Sequence, residues 1–265
     1  MTTGNLTGKW ALILGASSGF GAATSLALSR AGMHIIGVHL DRKSTLVNVE
    51  QLTKSIQASG AQAHFFNVNA ADPIKRQEVL DQVQPKLGGA VISVFMHSLA
   101  FGTLKPYLAG DPKEQLSKDQ MEMTLDVMAN SLVYWVQDLL ARKMIGKGSR
   151  IYAMTSSGGT RVWPTYGAVS AAKAALESHI RQLAMELAPY EATANCIRAG
   201  VTDTPALRKI PGNEQMMELS KLRNPHHRLT TPEDVAKAIT ILANSGTDWV
   251  TGNVIGTDGG EDIVG

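Results

Sequence analysis

The stretch ALILGASSGFGAA, residues 11–23, joins a short apolar run to a glycine-rich turn and a run of small residues. We predict a strand over residues 9–14 and a helix over residues 19–32. Glycine permits positive φ and close approach to the backbone, and free N–H groups at a helix start attract a pyrophosphate. The stretch therefore predicts an α/β fold with a nucleotide site at the end of its first strand.

The glycines of this turn, Gly15, Gly19 and Gly21, are spaced as G-x-x-x-G-x-G. This spacing differs from the G-x-G-x-x-G of the ordinary dinucleotide fingerprint, and glycines also end strands for packing reasons. The position of the turn after the first strand of an α/β pattern nevertheless favours nucleotide binding. The other residues expected to line the site are Ser17, Ser18 and Phe20.

Short apolar runs alternate with longer periodic segments along the rest of the chain. Further strands are predicted over residues 34–39, 63–68, 90–96, 150–155 and 192–198, and near Val254. Further helices are predicted over residues 44–59, 73–87, 117–145, 166–188 and 232–244. This alternation predicts a doubly wound parallel sheet with right-handed crossovers. We expect one domain over residues 1–265. Within it, residues 204–229 depart from the alternation of strands and helices and form a candidate lid.

The composition of the chain excludes several classes of protein. A chain of 265 residues with 44% hydrophobic content can bury a large core, and its net charge of +2 suggests neither nucleic acid nor a lipid surface as a partner. The start MTTGNLTGKW lacks the pattern of a signal peptide, and no apolar run approaches the ~20 residues that span a bilayer. We therefore expect a cytoplasmic protein. The single cysteine, Cys196, excludes an internal disulfide and a cysteine-based zinc site, and we predict no metal site.

The second informative stretch is YGAVSAAK, residues 166–173, within a predicted helix. Seven residues at about 100° and 1.5 Å each return Lys173 to the face of Tyr166, about 10 Å along the axis. Both residue types occur on helices without any chemical role, so this octapeptide alone does not indicate catalysis.

The glycine turn, the tyrosine and lysine of the later helix, and the closing TDGG at Asp258 together resemble the short-chain dehydrogenase/reductase family. The resemblance covers essentially the whole chain. It implies a single Rossmann-like domain that binds NAD(H) or NADP(H) and assembles as a homotetramer.

Ordinary members of that family have Tyr-x-x-x-Lys, but the corresponding position here is Val169. Tyr-x-x-x-x-x-x-Lys, as in Tyr166 and Lys173, resembles the enoyl-acyl-carrier-protein reductase subgroup, and the surrounding sequence is most similar to its L type. The segment FMHSLAFG, residues 95–102, also resembles that subgroup. A gapless reading places Met128 where ordinary members carry a relay asparagine.

Ser156 departs from the subgroup pattern, because many enoyl reductases carry a second tyrosine at this position. The family resemblance implies that Ser156 or Ser157 contacts the substrate. The alternative is that both serines only satisfy backbone groups at the end of a strand.

The resemblance implies roles for the remaining site residues. Tyr166 would donate to the enolate oxygen formed when hydride adds to a conjugated thioester. Lys173 would bind the nicotinamide ribose, and Thr204 would lie below the nicotinamide carboxamide. The other implied cofactor contacts are backbone groups of Gly200 and Val201 at the nicotinamide, Asn67 and Val68 at the adenine, and Ser98, Leu99 and Ala100.

The choice between NADPH and NADH depends on residues just beyond the second strand. Asp41 lies where an acidic residue would bind the ribose 2′-hydroxyl of NADH, two residues beyond His39. Arg42 and Lys43 follow, and basic residues suit the 2′-phosphate of NADPH, although such a pair also occurs at solvated helix starts. We expect NADPH, with NADH still open, and with His39, Arg42 and Lys43 near the adenosine ribose.

Two other functions remain open from the sequence. One is a short-chain alcohol or ketone dehydrogenase acting on a 3-oxoacyl thioester or a hydroxysteroid, and the other is an NAD(P)-binding sensor without turnover. The candidate lid carries Arg208 and Lys209 together with Met216, Met217 and Leu219. Positive charge beside adaptable apolar side chains suggests an acyl thioester on an acidic acyl carrier protein.

Overall fold

A computed structural model describes residues 6–264, so the predicted domain limits at residues 1 and 265 lie outside it. The chain forms one seven-stranded parallel sheet in the order β3-β2-β1-β4-β5-β6-β7. The strands are β1 Trp10–Leu14, β2 His34–His39, β3 Ala63–Asn67, β4 Ile92–His97, β5 Arg150–Ser156, β6 Thr193–Ala199 and β7 Val254–Thr257. The predicted doubly wound, Rossmann-like sheet is confirmed.

Helices cover both faces of this sheet. They are α1 Gly19–Arg30, α2 Leu46–Ala58, α3 Pro73–Val83, α4 Lys118–Leu125, α5 Ser131–Ala141, α6 Gly167–Glu186, α7 Asn213–Arg223 and α8 Pro232–Leu242. Within residues 6–264, no helix is both long and apolar enough to cross a bilayer.

Two hydrophobic clusters lie on opposite faces of the sheet because successive side chains of a strand point in opposite directions. Leu12 packs with Trp135 and Ile180 from α5 and α6, whereas the next residue, Ile13, packs with Leu28 and Ile239 from α1 and α8. Burial on both faces explains why the central strands are continuously apolar.

The predicted helix over residues 117–145 is interrupted. A π-helical turn, Asp126–Asn130, separates α4 from α5, and α5 ends at Ala141. The turn brings Met128, which is only 2% exposed, into the wall of a cavity that Ser98 and Tyr166 also line. Single π-helical turns of this kind occur often at functional sites.

The sheet order places the carboxyl ends of β1 and β4 side by side. The neighbours of β1 are β2 on one side and β4 on the other, so the direction of winding reverses between β1 and β4. In open α/β sheets the crevice at such a reversal is the ordinary ligand site. The candidate lid lies over this end of the sheet as a single turn, Leu207–Lys209, followed by α7.

Candidate active site

The glycine turn forms a close backbone cradle at the start of α1. Gly15 has a φ of +79°, and a Cβ built there would lie 2.3 Å from the carbonyl oxygen of Ser98. A Cβ on Gly21 would lie 2.1 Å from the carbonyl oxygen of Gly15. Ser18 is the N-cap residue of α1 and makes no side-chain capping bond within residues 6–264. The first N–H groups of α1 are therefore free to bind a pyrophosphate, which is the group that a dinucleotide presents.

A hydrogen-bonded carboxylate lies beside this cradle at the end of β2. The Asp41 carboxylate accepts from Thr45 Oγ1 at 2.7 Å, from His39 Nδ1 at 2.9 Å and from the Ser17 hydroxyl. Burial by itself raises the pKa of Asp41, but these three hydrogen bonds outweigh it and hold the pKa below its usual value. His39 is buried and acts on this region through Asp41.

The end of β3 is tied to the same region. The side-chain amide of Asn67 accepts from the backbone N–H of Asp41 at 2.9 Å and donates to its carbonyl at 3.0 Å. Each polar group of this amide keeps a second hydrogen-bonding position, which leaves Asn67 able to contact an adenine. The side chains of Arg42 and Lys43 are exposed and have no hydrogen bond or ion pair within residues 6–264. Both cations are therefore available to a phosphate.

One cavity of about 330 Å³ adjoins the cradle and the end of β5. It brings together eleven of the residues predicted from sequence, namely Phe20, Ser98, Leu99, Ala100, Ser156, Ser157, Tyr166, Lys173, Gly200, Val201 and Thr204. The predicted adenosine-side residues lie outside its wall, which agrees with a cofactor that extends from the cradle into the cavity. Gly19 connects the glycine cradle to the cavity, because a Cβ on Gly19 would lie 3.3 Å from the Thr204 side chain.

Tyr166 is the N-cap residue of α6 and not a member of the helix itself. Its phenol lies against Gly158, where an added Cβ would be 2.6 Å from the ring, and it hydrogen-bonds with Ser156. Burial raises the pKa of Tyr166, and the Ser156 hydrogen bond offsets this only in part. The phenol is consequently neutral at physiological pH and can act as a hydrogen-bond donor.

Ser156 ends β5, and its hydroxyl oxygen accepts from the Gly158 N–H at 3.2 Å. The same hydroxyl contacts the Tyr166 phenol. Ser156 thus satisfies the backbone at the strand end and also lines the cavity, and its contact with a substrate stays a prediction.

Lys173 lies deep in the cavity wall, with only 7% of its surface exposed. Its ammonium group donates to the carbonyl of Met154 at 2.7 Å. Burial lowers the pKa of Lys173 to about 8, and the nearby Cys196 and Glu177 oppose this shift. His97, behind the cavity at the end of β4, stays neutral because burial lowers its pKa to about 3. Lys173 is the buried cation of the site.

Val169 occupies the position of the ordinary family tyrosine and is buried in the core. Its side chain also meets Gly102, where an added Cβ would lie 2.9 Å from Val169 Cγ2. Tyr166, at the start of α6, is therefore the tyrosine that reaches this cavity.

Several polar residues of the cavity wall escape sequence-based prediction, among them Arg161, Trp163 and Glu261. Arg161 and Trp163 follow β5, and Glu261 follows the closing TDGG. Trp163 Nε1 donates to the Pro211 carbonyl at 3.0 Å, which joins the segment after β5 to the candidate lid. The only sequence signal for Glu261 was its position directly after a glycine pair, and nothing in the sequence indicates that it is buried.

A protein-family model described as enoyl-(acyl carrier protein) reductase matches residues 15–261. The chain belongs to this family of short-chain dehydrogenases/reductases. Membership makes it an NAD(P)H-dependent oxidoreductase, and the glycine cradle fits the dinucleotide. Family members of known activity resemble the chain along nearly its whole length.

The NADH-dependent enoyl-[acyl-carrier-protein] reductase FabI of Nostoc sp. is 29% identical over 265 residues, covering 98% of this chain and 99% of the relative. The 3-oxoacyl-[acyl-carrier-protein] reductase FabG of Pseudomonas aeruginosa is 27% identical over 256 residues, covering 97% and 98%. The crystal structure of the NADH-dependent enoyl-[acyl-carrier-protein] reductase of Aquifex aeolicus has a TM-score of 0.86 at 25% identity, covering 99% of each chain. The family relatives therefore include both double-bond and carbonyl reductases.

Proposed function

We propose that this protein reduces the carbon–carbon double bond of a trans-2-enoyl thioester, as an enoyl-acyl-carrier-protein reductase. The observation that carries the proposal is the arrangement of Tyr166, Lys173 and Val169. A buried, neutral phenol precedes α6, a buried lysine lies seven residues later, and the position one turn before the lysine is apolar. Such a tyrosine is suited to donating a hydrogen bond and poorly suited to acting as a base.

The cofactor in this proposal is NADPH. Its pyrophosphate would be held by the glycine cradle, its adenine by Asn67 and Val68, and its nicotinamide near Thr204 and Val201. When bound, it supplies the hydride that adds to the β-carbon of the substrate. NADPH is favoured over NADH because the Asp41 carboxylate already accepts from three side chains, whereas Arg42 and Lys43 are exposed and unpaired within residues 6–264.

Tyr166 would stabilise the negative charge that develops on the thioester oxygen. Its hydroxyl is a donor in a buried site, where a fixed hydrogen bond to an oxyanion is stronger than it is in water. Ser156 would orient the phenol through their mutual hydrogen bond. Because burial raises the pKa of Tyr166, the phenol keeps the proton that it must share.

Lys173 would bind the ribose hydroxyls of the nicotinamide half and add positive potential to the cavity. The carbonyl of Met154 holds the ammonium group at 2.7 Å, and two further N–H donors remain for the ribose. We propose no base role for Lys173.

The lid, the carrier and the assembly belong to the same proposal. Met216 and Leu219 of α7 line the cavity and would cover an acyl chain, and Lys209 lies at its edge. An acidic acyl carrier protein would deliver the thioester to a cytoplasmic homotetramer.

The second candidate function is reduction of a 3-oxoacyl thioester. It is favoured by Ser156, whose hydroxyl at the end of β5 meets the Tyr166 phenol in the cavity. A serine and a tyrosine converging on one point can also bind a ketone oxygen.

One preparation of the protein can distinguish the two reactions, because both oxidise the cofactor and change the same absorbance. We expect a trans-2-enoyl thioester to be consumed with a clearly higher kcat/KM than a 3-oxoacyl thioester of equal chain length. Tyr166→Phe should lower kcat on the enoyl substrate by about 10²–10³ while cofactor affinity stays nearly constant. Tyr190→Phe, at an exposed tyrosine beyond the end of α6, is the matched control. A preference for the 3-oxoacyl substrate, with Tyr166→Phe nearly silent, would overturn the assignment.

A further inference from the structure

A buried carboxylate connects three segments at the nicotinamide end of the cavity. Glu261 is 4% exposed and lies on the C-terminal turn after β7. Its Oε2 accepts from the backbone N–H of Val201 at 3.1 Å, and its carboxylate also hydrogen-bonds with the Ser220 hydroxyl. Val201 belongs to the loop after β6, and Ser220 belongs to α7 of the candidate lid. One side chain therefore contacts both the loop and the lid.

Space for this carboxylate is provided by a glycine. A Cβ on Gly200 would lie 2.8 Å from Glu261 Oε2 and 2.4 Å from Thr230 Oγ1. Burial raises the pKa of Glu261, and the neighbouring carboxylate of Asp258 also raises it, whereas the two hydrogen bonds and Arg223 lower it. A buried carboxylate is costly unless it is hydrogen-bonded, so both contacts are needed to hold it in place.

The two ends of α7 are attached differently. At its C-terminal end, Ser220 and Asn224 are both buried, and the Asn224 amide donates to the Asp258 carbonyl at 2.9 Å. At its N-terminal end, Gly212 has a φ of +77°, and the contact to the segment after β5 is the bond from Trp163 to Pro211. The C-terminal end is consequently the fixed end, and Glu261 contacts it.

We propose that Glu261 is a positioning residue that couples the lid helix α7 to the loop at residues 200–204. Because the same carboxylate accepts from the Val201 N–H and the Ser220 hydroxyl, a cofactor that orders the loop also holds this carboxylate, and through it α7, more firmly.

Hydrogen–deuterium exchange on the full chain tests this coupling without any thioester, so its outcome is independent of the proposed enoyl reduction. The probe is NADPH, or NADH if a preceding titration shows tighter binding. In the wild type, we expect the cofactor to slow exchange both in residues 200–204 and in α7. Exchange in α7 that does not respond to the cofactor would overturn the proposal without recourse to any variant.

Ser220→Ala removes the lid side of the link and leaves the Val201 contact intact. It should preserve cofactor protection of residues 200–204 while reducing protection of α7 by about tenfold or more, as expected for a lost hydrogen bond to a charged group. Glu261→Gln should reduce protection of α7 in the same way. Lys221→Ala is the matched control, since it alters the next residue of α7 and removes only an exposed ion pair with Glu218. Equal loss in Lys221→Ala, or full protection of α7 in both other variants, would show that Glu261 does not couple the two segments.

Discussion

The ammonium group of Lys173 lies 2.7 Å from the carbonyl oxygen of Met154, and both are closed off from bulk solvent. The lysine is held by the strand that ends in Ser156, so the cation and the Tyr166 phenol take their positions from the same element, β5. This buried cation carries an energetic cost that can be measured.

Lys173→Met should stabilise the cofactor-free protein while abolishing turnover and weakening cofactor binding. Burial lowers the pKa of Lys173 to about 8, so the folded state binds this proton less tightly than the unfolded chain does. The cost is fully present below pH 8 and fades as the pH rises from about 8 to the ordinary lysine pKa, where both states are neutral. It amounts to roughly 3 kcal/mol, because each pKa unit corresponds to about 1.4 kcal/mol.

The measurement is the melting temperature of both proteins across pH 7 to 10 (a range set by the ordinary lysine pKa of about 10.4). Lys54→Met, at an exposed lysine of α2, should leave the melting temperature nearly unchanged at every pH. A destabilised Lys173→Met variant at neutral pH would mean that its lost contact to Met154 outweighs the cost of burial.

Gly21→Ala should impair both stability and cofactor binding. Its Cβ would lie 2.1 Å from the Gly15 carbonyl oxygen, so the turn must open. Strain of this kind typically costs about 1–3 kcal/mol. Gly110→Ala is the control, since a Cβ there meets nothing within 4 Å. Thermal melting together with a cofactor titration by fluorescence tests the prediction. Unchanged cofactor affinity in Gly21→Ala would mean that the glycine cradle does not bind the cofactor.

Replacing both Arg42 and Lys43 by alanine should weaken NADPH far more than NADH. Both cations are exposed, and a charge-assisted contact to a phosphate is worth roughly 1.5–3 kcal/mol. The measurement is the dissociation constant of each cofactor for the wild type and for the double variant. If the ratio of the two dissociation constants does not change, Asp41 would instead be the residue that binds the adenosine ribose, which would favour NADH.

Lys209→Gln should raise KM for a carrier-linked substrate more than for the same acyl group on coenzyme A. Lys209 lies at the cavity edge with no side-chain partner within residues 6–264. Arg208→Gln is the matched comparison and should have the smaller effect, because its guanidinium already binds Asp203 at 2.7 and 2.9 Å. The larger effect of Lys209→Gln on KM for the carrier-linked substrate should shrink as salt is added, because salt screens exposed charges. Equal KM changes for both substrates would remove the carrier argument.

The sequence predicts the sheet and the grouping of the site well, because both follow from local patterns. Strand and helix periods identify all seven strands, and the carboxyl ends of parallel strands bring residues such as Ser98 and Thr204 to one crevice. The spacing of Tyr166 and Lys173 likewise picks out two residues that both line the cavity.

Features that depend on packing between distant segments could not be predicted in this way. The π-helical turn at Met128 inserts into a helix whose sequence period continues without a break, and Tyr166 lies before α6 although its helical pattern begins there. Glu261 looks like an ordinary surface residue in the sequence. It is buried only because α7 and the loop after β6 close over it.

The hydrogen-bonded group around Asp41 has a kinetic consequence. Ser17, His39 and Thr45 hold this carboxylate, and Asn67 fixes its backbone, so the adenosine end of the crevice is organised by the protein's own contacts. A dinucleotide that binds at this end before the substrate loses little binding free energy to ordering the side chains around it. The cavity lined by Tyr166 and Lys173, by contrast, is partly covered by a lid with one weakly held end. We therefore expect compulsory-order binding, with the cofactor entering before the thioester and leaving after the reduced product.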